Sequence, residues 1–315
     1  MTLTQLNYIV AVDNHKNFAK AAEKCFVTQP TLSMQIHKLE EELGLLIFDR
    51  SKQPVKTTDI GQKIVEQARV VLDETTRITD IIEQEKNEIA GTFKVGIIST
   101  IAPNLLPLFI QSIISKYEKL EIIINELQTN EIINKLRSDE LDAGIIATPI
   151  NKSDIVELPL YYEPFVGYLS QKHRLWKKKK LSPNDLLLED LFLLKEGHCF
   201  RDQVIKICSK YREDNKDGLR KITFEGSNLD TLKKMVEKNF GMTLIPFLST
   251  YELKNTENYK RIRVFEPPVP IREISMVFQR AKLKKHIIDI FINEIKKSVP
   301  KKLLTREGTL FEVNI

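Results

Sequence analysis

No apolar run in this sequence approaches the length of a membrane span; the purest, such as Ile122-Ile123-Ile124, is far too short. The N-terminus has no basic segment followed by a long apolar stretch, so no signal peptide is expected, and the chain is assigned to the cytoplasm without a membrane partner. Cysteine is scarce, with three in 315 residues, which argues against a disulfide framework. Without further context those three read as small buried hydrophobes. There is no G-x-G-x-x-G, no phosphate-binding loop and no Ser/His/Asp motif in context, which weighs against an enzyme built on a doubly wound domain. The five histidines (His15, His37, His173, His198, His286) are scattered without metal-ligand spacing, so neither metal nor cofactor is expected.

What remains is an ordinary globular composition, 42% hydrophobic and 29% charged, in a chain long enough for two or three cored domains. The net charge of +5 is only a weak hint of a polyanionic partner. Residues 1–60 carry seven basic and seven acidic side chains, so any affinity for DNA must come from where the charges sit.

Four segments follow one another. Residues 1–60 read as short helices. Leu6, Ile9, Val10 and Val12 give the first its apolar side, and Phe18, Ala21, Ala22 and Phe26 continue the core. Thr28 is a good N-cap, Pro30 suits the first turn of the next helix, and Leu32, Ile36, Leu39 and Leu43 form its buried stripe up to Gly44. Across 61–90, Ile64, Ala68, Val71, Thr75, Ile78, Ile82, Glu85 and Ile89 recur at steps of four and three. That heptad seam is read as a dimerisation helix, the alternative being an amphipathic helix lying on its own domain. From 91 to 300, strands (Phe93–Ile98, Glu121–Leu127, Ala143–Ala147) alternate with helices (Leu105–Tyr117, Ile132–Arg137), which implies a parallel sheet. The chain is expected to cross near Tyr161–Phe165 to a second α/β unit containing Leu191–Leu194, Ile222–Phe224 and Met242–Ile245. It then returns through Ile274–Phe278 and the helix His286–Lys297, so that 91–162 with 270–300 form one subdomain and 163–269 the other. Residues 301–315 read as a basic, irregular, mobile tail.

The most specific pattern lies near the N-terminus: Phe18-Ala19-Lys20-Ala21-Ala22, then Val27-Thr28-Gln29-Pro30-Thr31-Leu32-Ser33, then Ile36-His37-Lys38-Leu39-Glu40. Alanines let two helices cross closely, and the second offers Thr28, Gln29, Thr31, Ser33 and Gln35 on one polar side. Such groups hydrogen-bond phosphates and base edges when a helix enters the major groove. Lys38, Arg50 and Lys56 are expected to meet the flanking backbone, with Glu40-Glu41-Glu42 facing away. The competing reading makes Thr28 a mere cap and the amides solvated.

This succession, F-x-x-A-A, T-Q-P-T-L-S, I-x-x-L-E, L-G and F-D-R, resembles the winged helix-turn-helix of LysR-type transcriptional regulators. Leu141-Asp142-Ala143-Gly144-Ile145-Ile146, Glu163-Pro164-Phe165 and Met242-Thr243-Leu244-Ile245-Pro246 resemble landmarks of that family's effector domain. The resemblance implies an α/β chain of three parts: a winged helix-turn-helix, a long linker helix, and a two-lobed effector domain of periplasmic-binding-protein type. It also implies promoter DNA and RNA polymerase as partners, and a dimer or tetramer on DNA.

Within the family, Glu196-Gly197-His198-Cys199-Phe200-Arg201-Asp202-Gln203-Val204, with Cys208 further on, resembles the redox segment of the peroxide-responsive regulators. That resemblance implies hydrogen peroxide as signal, a Cys199–Cys208 disulfide, antioxidant genes as targets and thiol reductants for reset. Peroxide reacts with thiolate, so Cys199 is expected to have a lowered pKa and access. Its place at the start of a helix favours the anion, and His198 and Arg201 are expected to add positive potential unless they are turn and surface groups. Thr100 and Thr129 follow successive strand ends, where an open sheet gathers ligands. In peroxide-responsive members threonines match both, and a basic residue matching Arg272 stabilises the thiolate; alone, each threonine reads as a cap. Cys25 is taken as structural. The alternative function is a LysR-type regulator that binds a small metabolite in the interlobe cleft, with idle cysteines.

Overall fold

The computed structural model describes residues 1–85, 89–208, 226, 228–279, 284–306, 308 and 310–313. They fall into two compact units, the first mainly Met1–Ile89 with the short segment Arg137–Glu140, the second mainly the chain from Ala90 on. In the first, α1 (Leu3–His15), α2 (Phe18–Lys24) and α3 (Gln29–Leu43) start on the side-chain caps Thr2, Asn17 and Thr28, which satisfy amides that a helix start leaves bare. Pro30 occupies the first turn of α3 and Gly44 closes it. β1 (Phe48–Asp49) and β2 (Lys56–Thr57) pair as a small antiparallel wing, and α4 (Asp59–Glu85) follows. Gly61 is required at the start of α4, since a Cβ there would lie 2.2 Å from the Ile47 carbonyl oxygen.

The core of this unit is the stripe expected of α1–α3, closed by Ile47 and by Phe48, whose ring meets Phe18 edge-on at 5.9 Å. Burying each such side chain contributes about 1.5–3 kcal/mol. Three expectations fail. Leu43, expected to end the buried stripe of α3, is 37% exposed at the last turn before Gly44. Phe26 is 95% exposed, thrown outward by a left-handed backbone at φ +55°. Glu40 does not face away with Glu41 and Glu42; it is buried and accepts from the Ile47 and Phe48 amides at 2.8 and 3.1 Å. Glu40 lies four residues beyond Ile36, on the inner side of α3, so its carboxylate ends the helix-to-wing turn that would otherwise bury two bare amides.

The early part of α4 follows the reading set aside above. Val65 and Ala68 are buried, with Ile64, Val71 and Leu72 half-buried, all against their own unit's core, and Arg69 binds Asp13 at 3.0 Å. Ile78, further along, is 62% exposed. The side chains of Ile82 and Glu85 lie outside the described residues.

The second unit contains β3 (Gly91–Ile98), α5 (Ala102–Lys116), β4 (Leu120–Leu127), α6 (Thr129–Arg137), β5 (Ala143–Thr148), β6 (Ile155–Leu169), β7 (Lys180–Leu181), α7 (Cys199–Ile207), α8 (Leu229–Glu237), β8 (Met242–Pro246), β9 (Ile262–Phe265), β10 (Val269–Gln279), α9 (Lys285–Ser298) and β11 (Leu310–Glu312). The sheet runs β4-β3-β5-β10-β6-β9-β7, with β8 beside β6 and β11 beside β10. β4, β3 and β5 are parallel, and every residue of β5 is buried, as a strand covered on both faces requires. α9 returns to this lobe: Phe291 packs on Phe93 and Phe109 at 4.8 and 5.9 Å. The chain crosses to the second lobe near Tyr161–Phe165, as expected, within one continuous strand, β6, whose residues Phe165–Leu169 pair with β8 and Val166–Tyr168 with β9. Leu191 and Leu194 make isolated bridges, to Met242 and Gly226, instead of a strand. The expected strand Ile222–Phe224 lies outside the described residues.

The tail is also corrected. β11 adds in parallel to β10, the Val313 amide donates to the Ile271 carbonyl at 2.8 Å, and Val313 is buried. Arg306 binds Glu273 at 2.8 Å and Glu312 at 3.0 Å. Strand pairing and a buried Val313 hold what basic composition alone suggested would be loose.

Candidate functional sites: an exposed helix face and a buried thiol

On α3, Thr28, Gln29, Pro30, Thr31 and Lys38 are exposed, while Ser33 and Gln35 are half-buried. The hydroxyls of Thr28 and Thr31 lie 2.8 Å apart, so Thr28 is both cap and surface group. Gln35 is partly occupied inside the fold, where Gln5 Nε2 reaches its carbonyl and its side-chain oxygen at 3.4 Å. Arg50 is an internal tie as much as a free cation. Its guanidinium donates to Ser33 Oγ at 3.2 Å, pairs with Glu40 at 2.7 Å and lies 5.1 Å above the Phe18 ring. Lys56 is exposed on the wing. The sequence reading missed Met34, 62% exposed between Thr31 and Lys38 on the same side of α3; the spacing of three and four carried that signal.

The second site lies where β3, β4 and α7 end or begin. Gly197, at φ +91°, turns the chain into α7, and Cys199 is the first helical residue. A small cavity beside it is lined by Ser99, Thr100, Gln128, Thr129, His198 and Cys199 among others. The Thr129 hydroxyl donates to Cys199 Sγ at 3.6 Å. Thr100 Oγ1 accepts from Arg272 Nη1 at 3.0 Å, which leaves its own O–H to donate elsewhere. Both threonines therefore line the cavity that their strand-end positions suggested.

The electrostatics differ from the expectation. Cys199 is only 7% exposed, and burial pushes its thiol above the usual range, against the downward pulls of the Thr129 hydroxyl, the Arg272 charge and the Phe200 amide; Asp202 adds to the rise. The helix start is present, but desolvation outweighs it. His198 adds no positive potential: burial first, then Lys195, holds its imidazole below the ordinary histidine value. Its Nδ1 lies 3.5 Å from Ser99 Oγ, and its Nε2 has no partner among the described residues. Arg201 points away, donating to the Leu194 carbonyl at 2.9 Å. Arg272 is fully buried and paired with Glu163 at 2.7 Å, so its charge is shared.

Cys208 caps α7 at its far end, is buried, and lies with its Sγ 3.4 Å from the Leu186 carbonyl. All three cysteines are free thiols, and Cys25, half-buried beside the core of the first unit, is pushed up by burial. Among the described residues no group of His, Cys, Asp and Glu is placed to hold a metal, and no helix is long and apolar enough to cross a membrane.

Residues 3–62 match the bacterial regulatory helix-turn-helix protein, lysR family, and residues 86–300 match the LysR substrate binding domain. The chain belongs to the LysR family. A hydrogen peroxide-inducible genes activator of Pectobacterium carotovorum subsp. carotovorum is 34% identical over 279 residues, 89% of this chain and 90% of that protein. Full-length OxyR of Pseudomonas aeruginosa, solved as a cysteine-to-aspartate variant, superposes with a TM-score of 0.72 at 36% identity, covering 95% of this chain and 99% of that one. A peroxide-bound mutant of Corynebacterium glutamicum OxyR gives 0.60 at 28% identity, covering 94% of each chain.

LysR proteins are transcription regulators rather than enzymes, and α3 belongs to the segment that matches their DNA-binding part, while the cavity at Cys199 belongs to the segment that matches their substrate-binding part. The sequence reading missed Ser99, Gln128 and Glu163. Ser99 and Gln128 each adjoin a threonine that was found, and the strand-end rule that found the threonines covers them too.

Proposed function

We propose that this LysR-family chain is a cytoplasmic, hydrogen-peroxide-responsive activator of antioxidant genes that binds promoter DNA as a dimer or tetramer and works with RNA polymerase. In this reading 1–60 reads DNA through Thr28, Gln29, Pro30, Thr31, Ser33, Gln35 and Lys38, with Arg50 and Lys56 at the flanks. Residues 61–90 join subunits and 91–300 sense. The observation that carries the reading is the site at Cys199: Ser99, Thr100, Gln128 and Thr129 line a small cavity beside the sulfur, and the hydroxyl of Thr129 already donates to it.

The chemistry divides into two steps. Cys199 releases its proton, and the thiolate attacks one peroxide oxygen. The O–O bond breaks, hydroxide leaves and becomes water on taking a proton, and the sulfur becomes a sulfenic acid. Cys208 then displaces that hydroxyl, forming the disulfide and releasing water. A thiol reductant returns two electrons and resets both thiols. A continuous α7 opposes the second step. Nine residues separate the cysteines by about 13–14 Å along a helix axis, whereas a disulfide needs Cα atoms within about 4.4–6.8 Å. Bonding therefore requires α7 to unwind, and it pulls Phe200, Val204, Ile207 and Cys208 from the core of the second lobe. The covalent bond biases a two-state element whose change reaches the DNA-bound assembly.

The test is a mass-spectrometric map of the three cysteines before and after peroxide, beside transcription from a bound promoter. Cys199→Ser should abolish the response, and Cys208→Ser should stop at the sulfenic acid. Full induction with Cys199 and Cys208 both still reduced would sink the proposal.

A further inference from the structure

The polar chain behind the cavity does not end at Arg272. Glu163, on β6, is 1% exposed, as is Arg272. One Glu163 oxygen accepts from Arg272 Nε and Nη2 at 3.1 and 2.7 Å; the other accepts from the Leu248 amide at 2.9 Å. The carboxylate is thus fixed from the backbone of one element and holds the guanidinium of another. The rest of the guanidinium reaches the cavity wall: Nη1 and Nη2 donate to the Thr100 hydroxyl and carbonyl at 3.0 and 3.2 Å, and Cζ lies 5.1 Å from the centre of the Phe200 ring, next to Cys199.

Stability alone is a poor reason for such a pair, because exchanging a buried ion pair for apolar groups of like volume is often neutral or favourable. We propose that Glu163 is a positioning residue of the thiol sensor: it clamps Arg272 in the orientation that serves Thr100 and offsets part of the positive charge that reaches Cys199. The inference rests on the peroxide-sensing reading for its purpose, but its geometry concerns only the thiol.

The charged and titratable groups around that thiol are few. Arg272 favours the thiolate, Asp202 opposes it, and His198 is held neutral by burial and by Lys195. Tyr161 lies beside the pair with its hydroxyl buried and unpartnered among the described residues, and burial and the Glu163 charge keep it protonated. Neutralising Glu163 therefore leaves uncompensated the Arg272 charge, which pulls the Cys199 thiol down.

The experiment measures iodoacetamide alkylation of Cys199, resolved by peptide mass spectrometry in the full chain, from neutral to alkaline pH. Glu163→Gln should shift the profile to lower pH and speed alkylation at neutral pH several-fold; each unit multiplies the thiolate fraction about tenfold there. Glu163→Asp, which keeps the charge, should leave the profile near that of the unaltered protein. Arg272→Gln should shift it to higher pH, and adding Glu163→Gln should bring it back. That neutral double variant decides the matter if Glu163→Gln alone does not fold. A folded Glu163→Gln protein with an unchanged profile overturns the proposal, as does a double variant no different from Arg272→Gln. No peroxide enters this assay, so a protein deaf to peroxide would fail the sensing reading and leave this result standing.

Discussion

The Thr129 hydroxyl donates to the Cys199 sulfur across 3.6 Å, joining the first residue of α6 to the first residue of α7. It is the one hydroxyl hydrogen bond that pulls the thiol down while burial pushes it up. Thr129→Val keeps the shape and removes the donor. The alkylation profile of Cys199 should move to higher pH, and a hydrogen bond to a charged group, worth about 1.5–3 kcal/mol, corresponds to a loss of roughly tenfold or more in thiolate at neutral pH. The sign follows from the acid form: a raised thiol pKa stabilises the folded protein at low pH, and that advantage is lost as pH rises through the folded value. An unmoved profile in the valine variant would mean that the 3.6 Å contact carries no charge stabilisation.

Gln29 is exposed on α3, whereas Ser33 is held by Arg50, so their alanine variants should behave differently. Gln29→Ala should relax sequence preference, at about 1–3 kcal/mol for a lost base contact. Ser33→Ala should act partly by loosening Arg50, which keeps its Glu40 pair, and so weaken binding across sequences. Titration of labelled promoter and scrambled duplexes measures both; equal affinity and preference in the Gln29 variant would remove it from the interface.

Ile78 and Val71 also separate. Ile78→Glu alters an exposed position and should dissociate the oligomer without lowering the melting temperature. Val71→Glu strikes a side chain packed on the core of its own unit and should lower it as well. Sedimentation and melting report the two effects independently. A fully associated Ile78→Glu protein would move the subunit contact away from this helix.

Glu40→Ala tests the buried carboxylate at the turn into the wing. It leaves the Ile47 and Phe48 amides bare, at about 1–3 kcal/mol each, and frees Arg50. Together that is about 2–6 kcal/mol, so the first unit should melt on the order of 10 °C or more lower. Glu41→Ala, at an exposed neighbour, should change little.

How much was legible depended on how far apart the partners lie in sequence. The helices of the first unit announce themselves locally: Thr28, Pro30 and Gly44 sit within one element and mark its start and stop. The strand–helix alternation was legible for β3, α5, β4, α6 and β5 because apolar runs and turn residues mark each element locally, with two-sided burial complete only in β5. Phe26 was misread because hydrophobicity does not reveal a left-handed turn. Glu40 was misread because three identical neighbours conceal that one of them lies in line with Ile36. At the thiol, sequence position revealed the helix start but not the desolvation, which comes from walls supplied by β3, β4 and α6. Arg272 was found and does pull the thiol down, but its pairing with Glu163, 109 residues away, was not, since no local pattern joins them.

The paired C-terminal strand has a practical side. Gln203, in the turn of α7 between the two cysteines, donates to the Val313 carbonyl at 2.8 Å, and Val313 shares a core with Phe200 and Cys208. A purification tag or fluorescent protein fused after Ile315 would hang two residues beyond that contact and tug on α7, the helix that unwinds in the proposed disulfide step. At the other end, the Met1 amine meets Glu42 in an exposed ion pair, which contributes little. Reporter fusions should therefore be made at the N-terminus for redox measurements and at the C-terminus for DNA binding, and a peroxide threshold read from a C-terminally tagged protein describes the fusion rather than the sensor.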